Sequence, residues 1–357
     1  MSRNLIPLSV GPLSVAAALL GGTALAEVPR VAVDIAPVHS LVARVMQGVG
    51  EPSLIVAPGA SPHEYSLRPS EASALQEADL VFWVSPDLTP WLESAIETLA
   101  VNATVTELLE VDGVTELPFR EGVLFEAHAH DEDEHGADDH GHGDEEHAEG
   151  DGHDHDHDEE AHAEDKDHDH AEEEHAHGDD DHGHEDHAGH DHGEHDPHAW
   201  LSPDNGAVWL NAIAAQLSAA DPENAGAYFA NAAAGREELV ALSAEINAIL
   251  EPVRGRNFIV FHDAYQYFEA AFDFPASGAI SVSDASDPSP ARIAEIQARV
   301  ADQGVSCVLS EPQFDPGIVA AVMDGTETRT GVLDPLGSDQ DIGPELYGNV
   351  LRNLATA

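Results

Sequence analysis

The sequence predicts an α/β protein with two lobes, each a parallel-type sheet flanked by helices, joined by one long helix. Three observations lead to this fold class. Short apolar runs alternate with helical segments in both halves of the chain, which is typical of parallel sheets wrapped by helices. A helical pattern without internal proline runs from 222 to 250, between those halves. A stretch rich in histidine and acidic residues, 126–196, interrupts the first half.

The first 26 residues are typical of a secretory signal peptide. Arg3 supplies a positive start, 13–20 is apolar, and Ala24-Leu25-Ala26 has the small-x-small pattern of a cleavage site. The alternative is a membrane anchor, but the apolar run is shorter than the ~20 residues that a bilayer-spanning helix needs. No later stretch is apolar enough to cross a membrane. We therefore expect cleavage after Ala26, export, and no direct membrane insertion.

The first lobe is expected over 27–220. Strands are expected at 31–35, 53–56 and 79–84, where the runs are short, apolar and rich in branched side chains. A helix is expected near 39–49, and Pro69-Ser70-Glu71 opens a second one. Further along, Ser202-Pro203 is typical of an N-cap followed by proline at the first helical position.

Within this lobe, 126–196 is expected to be a disordered surface insertion. It holds 20 of the 24 histidines and 32 acidic residues against one basic residue, Lys166, so it carries −31 of the net charge of −56. It has too little apolar surface to offset the entropy of ordering it. Its His-x-His pairs, such as His168 and His170, predict weak chelation of divalent ions that fades as the pH drops toward about 6. The alternative is a solvated acidic segment with no role in metal binding.

A long helix, 221–252, is expected to join the lobes. Apolar side chains recur at near-helical spacing from Tyr228 to Leu250, and Pro252 ends the pattern. At ~1.5 Å per residue this helix would be about 40 Å long.

The second lobe is expected over 253–357. Strands are expected at 257–261, 279–282, 305–309 and 328–333. Helices are expected from His262, from Ser289-Pro290 to about 300, and near 344–354.

The charge and the single cysteine exclude several classes of protein. A net charge of −56 repels phosphates, so it argues against nucleic acid and anionic lipid as partners and fits a protein that attracts cations. Cys307 is the only cysteine, so the chain has no internal disulfide, and its apolar surroundings predict a small buried side chain.

Four histidines lie outside the insertion: His39, His63, His198 and His262. His63 follows a predicted strand within a turn rich in proline and glycine, His198 precedes the capped helix at Ser202, and His262 directly follows an apolar strand. Loops at the carboxyl ends of parallel strands line the ligand crevice of α/β proteins. We therefore expect these three to meet in one metal site, whereas His39, at a helix start, is expected on the surface or as a cap.

Three imidazoles favour a borderline ion such as Zn²⁺ in tetrahedral geometry, although Cu²⁺ or Ni²⁺ would compete in vitro. Three histidines with an open fourth position also describe a catalytic zinc. A hydrolase would need a general base beside the ion, for which Asp263 and Glu311 qualify only by residue type. The sequence has no His-Glu-x-x-His pair and no nucleophile motif.

The segments around the three histidines read GASPHEYSLRPS at 59–70, HAWLSP at 198–203 and FHDAY at 261–265. In this order, with a His-rich insertion after the first, they resemble the motifs of periplasmic zinc-binding proteins that serve ABC-type zinc importers. The resemblance runs from Val31 to Leu354 and includes SEPQF at 310–314 and LDPLG at 333–337. It implies two α/β lobes, one rigid linking helix and a metal ion in the cleft between the lobes.

The resemblance also implies a ligand set: His63 and His198 from the first lobe and His262 from the second. Manganese-binding relatives carry a Glu where this chain has His262, so the set favours Zn²⁺. Their fourth ligand is an Asp at the position matching Asp334, whereas some zinc-binding relatives use a Glu just before the first histidine, or a water. Pro62 occupies that place here, so Asp334 and water remain the two options. Some relatives have a disulfide in the second lobe, which Cys307 alone cannot form.

We therefore expect a periplasmic Zn²⁺ receptor that delivers its ion to the membrane permease of an ABC importer. It is expected to be a monomer and not an enzyme, with the His-rich insertion collecting zinc or sensing its excess. The alternatives are a periplasmic zinc buffer, in which the insertion is the functional part, and a mononuclear zinc hydrolase.

Overall fold

A computed structural model describes residues 28–120, 195–281, 289–302, 304–323 and 328–357. The predicted signal peptide, 1–26, lies outside these residues. So does the predicted insertion, 126–196, apart from His195 and Asp196. These two residues belong to the folded part: Asp196 is buried, and His195 forms an antiparallel bridge with Pro118.

The first sheet is wholly parallel, and its two central strands are buried on both faces. Its strands are β1 (Val31–Val33), β2 (Ser53–Leu54), β3 (Leu80–Trp83) and β4 (Thr104–Glu107), in the order β2-β1-β3-β4. Along β3, Leu80 and Phe82 face one core, and Val81 and Trp83 face the other. This two-sided burial explains why the central strands β1 and β3 are continuous apolar runs in the sequence.

Helices cover both faces of this sheet. They are α1 (Ala36–Val45), α2 (Pro69–Glu77) and α3 (Pro90–Leu99). Proline occupies the first turn of each helix, where its missing N–H is not needed for helical hydrogen bonding. The sequence interpretation missed α3 and β4, and it placed the start of α1 three residues late.

The second sheet repeats the arrangement of the first. Its strands are β5 (Phe258–His262), β6 (Ala279–Ser281), β7 (Cys307–Ser310) and β8 (Arg329–Val332), parallel and in the order β6-β5-β7-β8. Its helices are α6 (Gln266–Phe272), α7 (Pro290–Asp302), α8 (Pro316–Met323) and α9 (Leu346–Thr356). The expected helix start at His262 was wrong: His262 is the last residue of β5, and α6 begins four residues later. The sequence interpretation also missed α8.

Two long helices follow the first sheet, α4 (Pro203–Ala220) and α5 (Ala225–Leu250), and α5 joins the two lobes. The N-cap predicted at Ser202 is confirmed, because its hydroxyl accepts the backbone N–H of Asn205 at 3.3 Å. Helix α9 returns from the second lobe to pack against α1 and α5. The predicted fold class, two parallel sheets flanked by helices with one long helix between them, is confirmed. Among the described residues, no helix has the length and apolar character needed to span a membrane.

Candidate metal centre

The structure brings together the three histidines that the sequence singled out. The ring centroids of His63 and His198 are 5.7 Å apart, and those of His198 and His262 are 5.3 Å apart. Zn–N bonds of about 2.0–2.1 Å place imidazole centroids about 5.2 Å apart across a tetrahedral angle. The described residues contain no three His, Cys, Asp or Glu side chains already placed to hold an ion. The rings are therefore grouped at the spacing of a zinc site without forming a finished ligand set.

His63 lies in the loop that follows β2, and neighbouring helices hold this loop in place. The His63 N–H donates to Ser61 Oγ at 3.2 Å, and Trp91 Nε1 donates to the Pro62 carbonyl at 2.7 Å. Glu64, the next residue, is exposed. The loop therefore directs the imidazole, but not the adjacent carboxylate, toward the other two histidines.

His198 is oriented by a carboxylate two residues before it. Its Nδ1 lies 2.7 Å from Asp196 Oδ1, and its backbone N–H donates to the same oxygen at 3.0 Å. Burial raises the pKa of Asp196 to about 7, against the opposing effect of the His198 N–H and of the positive charge of Arg120. With Nδ1 bonded to the carboxylate, Nε2 is the nitrogen that carries the lone pair for a metal.

His262 has the same kind of partner from a neighbouring strand. Its Nδ1 lies 2.7 Å from Oε1 of Glu311, which directly follows β7. Both side chains are buried. Glu311 had been considered only as a candidate general base; in the structure it orients an imidazole, so Nε2 of His262 is again the candidate ligand atom.

A small cavity lies among the three rings. Its volume is about 20 Å³, and its lining includes His63, His198, His262 and Glu311. One water molecule needs roughly 10–15 Å³ on this measure. The cavity is partly open to solvent, so it has room for a single ion with a water molecule at its mouth but little room for an organic substrate.

Asp334 does not line this cavity. Its Oδ1 accepts the Leu336 N–H at 3.2 Å, the Gly337 N–H at 3.0 Å and the Gln313 amide at 3.2 Å. Its Oδ2 accepts the N–H and the hydroxyl of Ser338, both at 2.6 Å. These bonds shape the turn whose residues Pro335 and Leu336 reach the cavity. Asp334 thus organises a loop of the site.

His39 was expected on the surface or as a cap, and the surface assignment was wrong. The side chain is buried in the first turn of α1, and its Nε2 lies 3.0 Å from the Pro52 carbonyl oxygen. Burial lowers its pKa. His39 is absent from the cavity lining and acts as a buried tie between α1 and the segment before β2.

A buried ion cluster lies beside His262, and the sequence interpretation did not include it. Arg120 donates to both carboxylate oxygens of Asp263, the residue after His262, and to both oxygens of Glu269. Burial raises the pKa of Asp263 and of Glu269, and the hydrogen bonds from Arg120 oppose that rise. Asp263 is therefore committed to an ion pair and not placed as a general base.

Two α/β lobes around an ion-sized cavity lined by histidines from both define a metal-binding member of the solute-binding proteins of importers. The chain belongs to the family described as ZnuA, zinc-uptake complex component A, periplasmic, whose sequence profile matches residues 31–357.

Two relatives illustrate the family. The chain is 46% identical over 341 residues to the high-affinity zinc uptake system protein ZnuA of Brucella abortus (strain 2308), an alignment covering 96% of this chain and 94% of that protein. It is 44% identical over 347 residues to the protein of the same name from Paracoccus denitrificans (strain Pd 1222), covering 96% and 95%.

Solved structures share the fold. A crystal structure of ZnuA superposes with a TM-score of 0.64 at 21% identity, covering 93% of this chain and 99% of that one. The periplasmic zinc binding protein TroA from Treponema pallidum gives a TM-score of 0.63 at 17% identity, covering 92% and 98%.

Proposed function

We propose that this protein captures Zn²⁺ in the periplasm and delivers it to the membrane permease of an ABC importer. The observation that carries the proposal is the ion-sized cavity lined by His63, His198 and His262. Membership of a zinc-uptake family and 46% identity to a high-affinity zinc uptake protein support zinc as the ion. Zinc is the transported cargo in this proposal and not a resident cofactor.

In the proposed site, Nε2 atoms of His63, His198 and His262 bind the ion. Small rotations of the rings complete the ligand set around the cavity. A water molecule provides the fourth ligand, because both oxygens of Asp334 already accept hydrogen bonds from its own loop and from Gln313. The carboxylates of Asp196 and Glu311 make the His198 and His262 rings better electron donors and add negative charge near the cation.

The small volume of the cavity argues against a function as a hydrolase. Catalysis at zinc needs space for a substrate beside the activated water. A cavity of about 20 Å³ leaves little such space among the rings. The family is also one of transport proteins and not of enzymes.

The expected domain boundaries, partner and assembly belong to the same proposal. A signal peptide, 1–26, directs export. The lobes, 27–220 and 253–357, are joined by the helix at 221–252. In this proposal the protein acts as a monomer. Docking on the permease loosens the contacts of the second lobe with the ion, and the insertion at 126–196 collects zinc at lower affinity.

The test is zinc binding in competition with a strong chelator, measured on the full mature chain. The chelator keeps free zinc too low for the His-rich insertion to fill, so that only a tight site is occupied. His63→Ala and His262→Ala should each abolish this occupancy because they remove a ligand from opposite lobes. His195→Ala is the matched control, since it removes a histidine of the folded part that is absent from the cavity lining.

One tight site that is lost in both ligand variants and kept in the control would support the proposal. A protein that takes no zinc from the chelator, yet binds several ions weakly without it, would be a zinc buffer, and the three-histidine assignment would be wrong.

A further inference from the structure

Arg120 lies at the contact between the two lobes, beside the proposed zinc site. Its Nε donates to both oxygens of Asp263 at 3.0 Å, and its Nη2 donates to Asp263 Oδ1. Its Nη1 and Nη2 donate to the two Glu269 oxygens at 2.8 and 3.1 Å. The Arg120 side chain is 19% exposed, and those of Asp263 and Glu269 are 8% and 6% exposed. One guanidinium thus holds two buried carboxylates, and we call these three residues the Arg120 cluster.

The cluster connects the segments that carry two of the proposed ligands. Asp263 directly follows His262, at the end of β5 in the second lobe. Arg120 comes from the first lobe, two residues after Pro118, which pairs with His195. In the same pairing the Asp196 N–H donates to the Leu117 carbonyl at 2.8 Å, and Asp196 orients His198.

A tyrosine of the second lobe strengthens this connection. Tyr267 Oη accepts the Leu117 N–H at 2.9 Å and donates to the Asp196 carbonyl at 3.0 Å. The segment that carries Arg120 is therefore fixed to α6 at two places, by its backbone and by its guanidinium. A shift of the His262 segment away from His198 would have to break both.

Other arginine pairs in the described part of the chain are more exposed. Arg44 makes a comparable two-point contact with Glu238 at 2.9 and 2.8 Å, but the Glu238 side chain is 61% exposed. Water screens such a pair, so it constrains the structure little. The carboxylates of Asp263 and Glu269 are shielded from most of the surrounding water. Loss of the Arg120 guanidinium would therefore leave two buried acids without their cation.

We propose that Arg120 is a positioning residue for zinc. Its guanidinium group holds the His262 segment of one lobe against the Asp196–His198 segment of the other, and this contact sets the rate of zinc release. This inference rests on the proposed function, since it assumes that zinc lies between those histidines. Movement of the second lobe at the permease would break the cluster and free the ion.

Arg120 could act through the geometry of its hydrogen bonds or through its positive charge, and these two roles predict opposite effects on the rate of zinc release. If Arg120 acted only as a positive charge, removing it would favour a bound cation and slow zinc release. If the guanidinium group acts by holding the lobes together, removing it speeds zinc release. Lysine separates the two, because an ammonium keeps the charge but cannot make parallel bonds to both carboxylates.

The experiment measures zinc release from the loaded full mature chain into an excess of a coloured chelator. The phase that belongs to the cleft is the one missing from a His262→Ala variant. In that phase, Arg120→Ala should release zinc roughly 10- to 100-fold faster. Arg120→Lys should also release it faster, by a smaller factor. Arg44→Ala, which breaks a two-point pair away from the cavity, should release zinc at the wild-type rate.

The inference is overturned if Arg120→Ala releases cleft zinc at the wild-type rate or more slowly. It is also overturned if Arg120→Lys matches wild type, since charge alone would then account for the residue. If the alanine variant fails to fold, the test still holds, because Arg120→Lys keeps a positive charge beside the two buried carboxylates. Melting of the zinc-free variants separates a general loss of stability from an effect on release. A wild-type protein with no phase that depends on His262 would refute the proposed function instead.

Discussion

At the scale of single residues, the site depends on carboxylates that orient its histidines. Asp196 and Glu311 each lie 2.7 Å from the Nδ1 atom of a proposed ligand. Such partners fix the ring orientation and the tautomer, and they raise the basicity of the nitrogen that binds the metal. Their loss should therefore weaken zinc binding without removing a ligand.

Glu311→Gln tests this role. The amide has the same shape and still accepts from His262 Nδ1, so mainly the negative charge is lost. We expect the dissociation constant for zinc to rise roughly 10- to 100-fold, measured by chelator competition. Glu64→Gln, an exposed carboxylate next to His63, is the control and should bind like wild type. Equal affinities of Glu311→Gln and wild type would refute the orienting role.

Asp334→Asn tests whether Asp334 is a loop anchor or a ligand. An amide nitrogen would face donors that now bond to a carboxylate oxygen. We expect the free energy of unfolding of the zinc-free protein to fall by ~1–3 kcal/mol, measured in urea. A carboxylate reserved for metal would instead leave the zinc-free variant as stable as wild type or more stable, because a source of repulsion is removed.

Because of the buried carboxyl group of Asp34, we expect the free energy of unfolding to depend on pH. Asp34 is buried, its oxygens accept the Ile35 and Val84 N–H groups at 2.7 Å, and burial raises its pKa from 3.8 to about 7. The folded protein therefore keeps a proton that the unfolded chain releases. This contribution to stability is fully present below pH 3.8 and is lost as the pH rises through about 7.

The measurement is urea unfolding of the zinc-free wild type and of Asp34→Asn from about pH 5 to pH 8. The asparagine cannot titrate, so any fixed cost of the substitution is the same at each pH. Relative to the variant, the wild type should lose stability as the pH rises toward 7. A constant difference across this range would show that Asp34 has an ordinary pKa.

The sequence predicted which histidines meet but not what orients them. Motifs around His63, His198 and His262 are local, so neighbouring residues indicate the ends of strands and helices. Glu311 lies 49 residues from His262 and becomes its neighbour only because β5 pairs with β7. Arg120 and Asp263 are 143 residues apart. Such pairs depend on strand order and lobe contact, which periodicity does not reveal.

At the scale of the elements, contacts of Tyr347 in α9 connect the second lobe to α1 and α4 of the first. Gly206 in α4 lies against Tyr347, whose Oη donates to the Trp200 carbonyl at 2.7 Å. The Tyr347 N–H donates to Ser40 Oγ in α1 at 2.9 Å. One tyrosine of α9 therefore contacts both α1 and the segment that follows His198.

Gly206→Ala should disrupt this contact. A Cβ there would lie 2.5 Å from Tyr347 Oη, so the buried ring would have to move. We expect a loss of ~1–3 kcal/mol in the free energy of unfolding, measured in urea. Gly226→Ala in α5 is the control: a Cβ there meets nothing within 4 Å, and alanine favours helix by up to about 1 kcal/mol. Equal effects of the two substitutions would contradict the packing argument.

Several of the elements that the sequence predicted are buried strands with strong apolar patterns. Strands β1, β3 and β5 are wholly buried, so each is a continuous apolar run. Strand β4, with the sequence TVTE, is half exposed and contains one apolar residue, so its pattern resembles a loop. It is a strand because it pairs with β3 through four residues.

At the scale of the whole molecule, the two lobes share one strand order and are connected by more than the linking helix. Helix α5 contacts α1, α4 and α9. Trp200 Nε1 also donates to the Pro335 carbonyl of the second lobe at 2.9 Å, close to His198. These contacts oppose a wide rotation of one lobe against the other, so zinc binding should proceed by small movements.

Spin labels on both lobes measure this directly. Glu97 in α3 and Ala298 in α7 are exposed and suit labelling in a Cys307→Ala background. We expect one equivalent of zinc to narrow the distance distribution and to shift its mean by no more than a few ångströms. A large closing shift, of the kind expected for a hinged receptor, would contradict a rigid connection.

The cavity of about 20 Å³ also determines how much of its hydration shell an ion must lose before it enters. An aqueous divalent cation carries a hydration shell several times larger than this space, so it must exchange nearly all its water for imidazole nitrogen before it fits. Magnesium, which gives up water reluctantly and prefers oxygen, is poorly suited to that exchange. The size of the cavity and the nitrogen donors thus work together, and the dehydration step discriminates against an ion that the negative charge of the nearby carboxylates alone would attract.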